Sequence, residues 1–196
     1  MIKYGLISDT DARTLEKTLD LVIKKFKTYV HITEIGLYNC ETSKGIYKYL
    51  DDKGVIFEYT GIDNEKDKPV DTPYWMESIV GDSNEVYHQL DDESQHLIFI
   101  DGCHCFAHVV SDFFCYAPKV KKGGFIAFHD TGKHIKPFKD FQHGDKENPD
   151  AYISVRKALL AIGMFLPVSN FGFNLIFDEA DETNEAGGIC VFKKLY

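Results

Sequence analysis

The chain has 196 residues, 44% of them apolar, and a formal net charge of −9. Such a length can bury roughly two-thirds of its unfolded surface in one core without disulfide staples, and the acidic balance excludes a general nucleic-acid binder, whose affinity comes mostly from Lys and Arg neutralising phosphates. No apolar run approaches the ~18 residues that span a bilayer, residues 1–5 lack a secretory core, and the five cysteines are odd in number with no CxxC pair, so a reducing cytoplasm is the expected setting.

In chain order, Ser8 and Asp11 stand at capping-box spacing and Leu15, Leu19, Leu21, Val22, Ile23 and Phe26 make an apolar stripe, which predicts an amphipathic helix over 8–27 that covers a sheet. A strand over 29–35 closes at Gly36, and Thr42 and Ser43 are placed to cap a helix running to about Leu50. Residues 55–62 read as a second strand ending in Asp63, the polar stretch 66–73 as a loop, 75–80 as a third strand, and 84–90 as a short helix. The fourth and fifth strands, 97–100 and 125–128, flank a helix over 106–116 that stops before Pro118. Strands alternating with helices imply an α/β architecture, a parallel sheet with helices on both faces. The chain ends differently, with a helix over 153–165 and strands 174–177 and 189–192 forming an antiparallel hairpin whose tip is 178–188. The polar stretch 132–150 is a candidate lid loop. No repeat or linker divides residues 1–196, which therefore read as one domain, and the aromatic run Phe113, Phe114, Tyr116 suits a core or a homo-oligomer interface.

Two apolar runs carry the chemistry. Leu97-Ile98-Phe99-Ile100 ends in Asp101-Gly102-Cys103-His104, and Phe125-Ile126-Ala127-Phe128 ends in His129-Asp130. If these strands are neighbours, Asp101, His104, His129 and Asp130 meet at the carboxyl edge of the sheet, where carboxylates and imidazoles can hold a divalent metal or move a proton. Cys103-His104-Cys105 is not expected to bind zinc, because alternate residues of an extended segment point to opposite sides; His108 reads as structural or solvated.

Glu34-Ile35-Gly36-Leu37-Tyr38, Gly61-Ile62-Asp63, Gly81-Asp82-Ser83, Asp101-Gly102-x-His104 and Gly123-Gly124-x-Ile126-x-Phe128-His129-Asp130, in this order and spacing, resemble class I S-adenosylmethionine (SAM)-dependent methyltransferases. The resemblance is strongest to the small-molecule O-methyltransferases of the macrocin O-methyltransferase and cephalosporin-hydroxylase-like group. It implies a Rossmann-like seven-stranded sheet, mostly parallel with a C-terminal antiparallel hairpin. It also implies transfer of a methyl group from SAM to a hydroxyl of a small molecule such as a sugar or natural product. Glu34, Gly36, Tyr38, Asp63, Asp82, Ser83 and Asp101 would hold the cofactor, with Glu34 at its amino-acid end, Asp63 on the ribose and Asp82-Ser83 by the adenine. His104 would be the general base. Asp101, His129 and Asp130 would hold Mg or Mn, although an imidazole suits Mn²⁺, Fe²⁺ or Zn²⁺ better than Mg²⁺. One departure from the family pattern is Cys40, which replaces a glycine of the first loop and is expected to narrow the pocket. It keeps open a second reading, a catalytically silent methyltransferase-like domain that binds a nucleoside or a partner. A metal-dependent hydrolase or oxygenase is a third, but leaves the upstream motifs without a purpose.

Overall fold

Among the described residues, the alternation of apolar runs and amphipathic segments resolves into twelve elements: α1 (Asp9–Phe26), β1 (Tyr29–Ile35), α2 (Glu41–Asp52), β2 (Ile56–Asp63), β3 (Glu77–Val80), α3 (Ser83–Val86), β4 (Gln95–Ile100), α4 (Phe106–Tyr116), β5 (Val120–Phe128), α5 (Val155–Ala161), β6 (Phe173–Glu179) and β7 (Ile189–Lys194), with short 3₁₀ turns after α3 and α4. The computed structural model describes residues 2, 4–5, 7–27, 29–64, 72–132, 154–167, 169–179 and 187–196. The expected lid at 132–150 falls outside them beyond Gly132, as do most of the 66–73 loop and of the hairpin tip.

The strands form one sheet in the order β3-β2-β1-β4-β5-β7-β6. The first five are parallel, and β7 runs antiparallel between β5 and β6. This is the Rossmann-like seven-stranded sheet, mostly parallel with an antiparallel end, that the resemblance implies. Every residue of β4 is buried, as a central strand covered on both faces requires. Along β4, Leu97 and Phe99 join the apolar layer under α1 and α2, together with Leu15, Leu19 and Ile46, whereas Ile98 and Ile100 join the opposite layer with Val109, Phe113 and Leu159. The strand period of two therefore sorts each side chain to one helical layer or the other. Phe113 and Tyr116 lie in this core and Phe114 is exposed.

Four local expectations are revised. Ser8 does cap α1, its Oγ accepting from Asp11 N at 3.1 Å. Thr42 and Ser43, however, do not cap α2: the N-cap is Cys40, with no side-chain cap bond, and the Ser43 hydroxyl turns into the core to donate to Glu34. The short helix after β3 is four residues of α-helix followed by a 3₁₀ turn over Tyr87–Gln89. Helix α5 stops at Ala161, just before Gly163, whose φ of +75 favours a residue without a side chain. Strand β5 starts five residues early because Gly123 (φ +79) and a register shift opposite Gln95 and Leu97 carry the strand through the polar Lys121-Lys122 pair.

Candidate functional site

The carboxyl ends of β1, β2 and β4 open onto a cleft. It lies at the sheet edge where open α/β folds take ligands. Its lining includes Gly36, Asp63, Asp82, Ser83, Gly102, Cys103 and His108. Gly36 has φ +88, and a Cβ there would stand 2.3 Å from the carbonyl oxygen of Asp101. The glycine thus lets the β1–α2 loop pack on the end of β4, a structural need the motif alone does not reveal. Asp63 clamps the same loop, its Oδ2 accepting from Leu37 N at 2.7 Å and Tyr38 N at 3.2 Å.

Two residues of this loop, Tyr38 (φ 47) and Cys40 (φ 59), occupy the left-handed region that costs a residue with a side chain roughly 1–2 kcal/mol. The Tyr38 ring is exposed, and neither residue belongs to the cleft lining. Cys40, expected to narrow the pocket, is instead 1% exposed and lies in the apolar layer with Leu37 and Ile46.

Glu34 also departs from its expected place at the cofactor's amino-acid end. It is buried outside the cleft lining, accepting from the Tyr59 hydroxyl at 2.5 Å and from Ser43. Burial pushes its carboxyl up to about 8 despite these donors. The unfolded chain releases this proton first, so the carboxyl's contribution is fully favourable below about pH 4.5 and is lost as the pH rises toward about 8. Glu34→Gln, which keeps the acceptor without the proton, is expected to flatten stability between those limits and to gain roughly 2–3 kcal/mol at pH 7. Urea denaturation across the pH range measures it; an unchanged pH dependence would refute the assignment.

At the far wall, Asp82 caps α3 by accepting from Asn84 N at 2.9 Å, and Ser83 Oγ donates to Asp112 Oδ1 at 2.6 Å. Asp112, a residue the sequence did not single out, lies buried on α4, where desolvation pushes its carboxyl up to about 6.

The second half of the site follows from strand register. Phe99 pairs with Ala127 and Ile100 with Phe128. One step further, Asp101 and His129 emerge on the α1 side, where Asp11 of that helix meets them. His129 Nδ1 is 3.0 Å from Asp101 Oδ1 and its Nε2 is 3.3 Å from Asp11 Oδ2. Burial alone would lower the His129 pKa, but the Asp101 charge and the bonds to Asp101 and Asp11 raise it well above the ordinary histidine value. Asp11 Oδ2 also accepts from Ser8 Oγ at 2.8 Å and from Gly188 N at 3.3 Å.

With both ring nitrogens held by carboxylates, His129 is not the metal ligand expected of it. His104 takes that position: its Nε2 lies 3.0 Å from Asp130 Oδ2 and 3.5 Å from Asp101 Oδ1. Ligand atoms of Asp101, His104 and Asp130 all lie within 4.8 Å of one another. Burial lowers the His104 pKa, but the bond to Asp101 and the charge of Asp130 bring it above the usual value. Asp130 has φ 54, a strained conformation of the kind concentrated at functional sites.

The family model of a methyltransferase domain matches residues 33–131, half of the chain. No match is found among curated proteins. Among solved structures, a protein from Corynebacterium glutamicum shares the fold at 15% identity and TM-score 0.64, covering 98% of this chain and 84% of its own. The O-methyltransferase from Bacillus cereus, solved in complex with SAH (S-adenosylhomocysteine), is similar at 14% identity and TM-score 0.62 over 98% and 84% of the two chains. MycE, a methyltransferase of the mycinamycin biosynthetic pathway solved with Mg, SAH and mycinamycin VI, is similar at 16% identity and TM-score 0.56 over 97% of this chain and 56% of its own.

Proposed function

Since this chain belongs to the methyltransferase-domain family and is a SAM-dependent methyltransferase, we propose that it methylates a hydroxyl of a small molecule such as a sugar or natural product, acting in the cytoplasm as a single catalytic domain. The observation that carries this reading is the junction at the β4–α4 loop. Gly102 and Cys103 line the cleft, while Asp101 and His104, on either side of them in sequence, belong to the acid–histidine cluster. One loop thus joins the cleft at the sheet edge to a group able to take a proton. None of the described helices is long and apolar enough to cross a membrane.

SAM supplies an electrophilic methyl group when bound. Asp63, already fixed by two backbone donors, would accept from the ribose hydroxyls, and Asp82 from the adenine amine. His104 would take the acceptor's proton as the oxygen approaches the methyl carbon, with Asp130 and Asp101 orienting its ring and stabilising the resulting imidazolium. Alignment of oxygen, carbon and sulfur supplies much of the acceleration.

The three ligand atoms within 4.8 Å favour a second reading, in which Asp101, His104 and Asp130 hold a divalent cation. Two carboxylates and one imidazole suit Mn²⁺, Fe²⁺ or Zn²⁺ better than Mg²⁺. Held by Asp101, His104 and Asp130, a cation would supply a lowered pKa to an acceptor hydroxyl, and His104 would then be a ligand rather than a base.

Calorimetry with SAM and SAH, with and without Mn²⁺, tests the proposal. SAH is expected to bind, and Asp63→Ala to weaken it by roughly 1–3 kcal/mol, the range for losing a charged hydrogen-bond partner. Absence of binding at millimolar SAH would replace this reading with a silent nucleoside- or partner-binding domain.

A further inference from the structure

Beyond the methyl-transfer cluster, the β4–α4 loop gathers a second group of side chains. Cys105 is the N-cap of α4 and makes no side-chain cap bond, while His108 stands one turn further on. Backbone alternation separates sequence neighbours but puts residues two apart, such as Cys103 and Cys105, on one side, so the geometric ground for expecting no metal there does not hold. Their sulfurs lie 3.2 Å apart, and Cys105 Sγ is 3.3 Å from His108 Nδ1. The three ligand atoms all lie within 4.8 Å of one another, and the three residues are half-buried.

We infer that Cys103, Cys105 and His108 form a binding site for a thiophilic divalent cation of the zinc type, separate from the oxygen-rich set of Asp101, His104 and Asp130. Tetrahedral zinc with Zn–S of about 2.3 Å and Zn–N of about 2.0–2.1 Å holds two sulfurs about 3.8 Å apart and sulfur from nitrogen about 3.6 Å apart. The two pairs that share Cys105 therefore have to open by only about half an ångström to admit the ion. The ligands are of the soft and borderline type that select zinc over magnesium or calcium.

The surroundings of His108 fit the same role. Its Nδ1 faces the sulfur and its Nε2 lies 3.7 Å from Asp82 Oδ2, so the carboxylate stands behind the imidazole as it does behind zinc-bound histidines, where it fixes the tautomer and strengthens the ligand. The start of α4 also presents the positive end of the helix to the thiolates. Three protein ligands leave a fourth tetrahedral position for water. Cys103 and His108 line the cleft, so a bound ion would share a wall with the cofactor.

The test is titration of the reduced, metal-free full chain with Co²⁺, followed by displacement with Zn²⁺. One tetrahedral cobalt per chain with a thiolate-to-metal charge-transfer band is expected. Cys105→Ser should weaken binding by at least about 100-fold, beyond the 10–100-fold typical of losing an outer-shell partner, and the double Cys103→Ser, Cys105→Ser variant should lose the band. Cobalt bound without that band, or binding that survives in the double variant, would place the ion at the carboxylates and overturn the inference. So would failure to bind after the thiols are shown by titration to be reduced. If the variants fail to fold, X-ray absorption of the zinc-loaded wild type decides: two sulfurs at about 2.3 Å support the site, and a shell of oxygen and nitrogen alone refutes it.

Discussion

Replacing His104 by alanine is expected to lower the methyl-transfer rate about 10²–10⁴-fold, the usual contribution of a positioned general base. SAH affinity should stay within a few-fold, because His104 is not part of the cleft lining. The wild-type rate should climb as the pH rises through the His104 pKa, which its carboxylate neighbours hold above the ordinary 6.5, and the variant should lose this limb. Single-turnover kinetics with an accepted hydroxyl compound measures both. A fully active variant would remove His104 as the base. The metal reading separates cleanly: a chelator should inhibit the wild type reversibly only if Asp101, His104 and Asp130 hold an ion, and Asp130→Ala should then abolish the response to added Mn²⁺.

Asp11→Ala is expected to destabilise the fold by about 3–5 kcal/mol, the range for removing one partner of a buried ion pair. The variant leaves His129, 8% exposed, with only Asp101 and the more distant Asp130 to balance its charge, and it strips an acceptor from Gly188 N. The raised pKa of His129 sets the sign of the pH dependence. The pairing is fully favourable below about pH 6.5 and fades as the pH rises through the folded-state value, so the cost of Asp11→Ala should shrink in alkaline solution. Urea midpoints over that range, with His129→Ala and the double variant closing a cycle, isolate the coupling. A loss under about 1 kcal/mol at pH 6 would mean that His129 is neutral in the fold.

The sheet was legible because its signals are periodic. Runs such as Ile98 to Ile100 and Ile126 to Phe128 can only be central strands, and their common endings placed Asp101 beside His129 and Asp130. The same period of two also held information that was not extracted. Residues 97, 99 and 101 and residues 125, 127 and 129 share the α1 face, and Asp11 falls on the helical stripe of Leu15, Leu19 and Val22. A carboxylate on an apolar stripe, aimed at a histidine in the same layer, marks a buried ion pair rather than a cap. Other features have no signature of this kind. Glu34 turns away from the cleft because Tyr59 and Ser43 offer it donors across the core, a contact between elements that no local pattern encodes. The early start of β5 hides behind Lys121 and Lys122, since a bulge lets charged residues ride on an otherwise apolar strand.

Asp11 joins His129 across 118 positions of sequence and Gly188 across 177. Contacts between such distant segments bear a large loop-closure entropy and tend to form late. A polypeptide emerging from the ribosome can assemble the clamp between Asp63 and the β1–α2 loop once β2 has been made. The carboxylate of α1 must wait for its imidazole until β5 is complete, and for the amide of Gly188 until the segment just before β7 is synthesised. The clamp beside the cleft and the acid–histidine cluster therefore mature at different times during synthesis, with the second completed only after β5 and the segment before β7 are made.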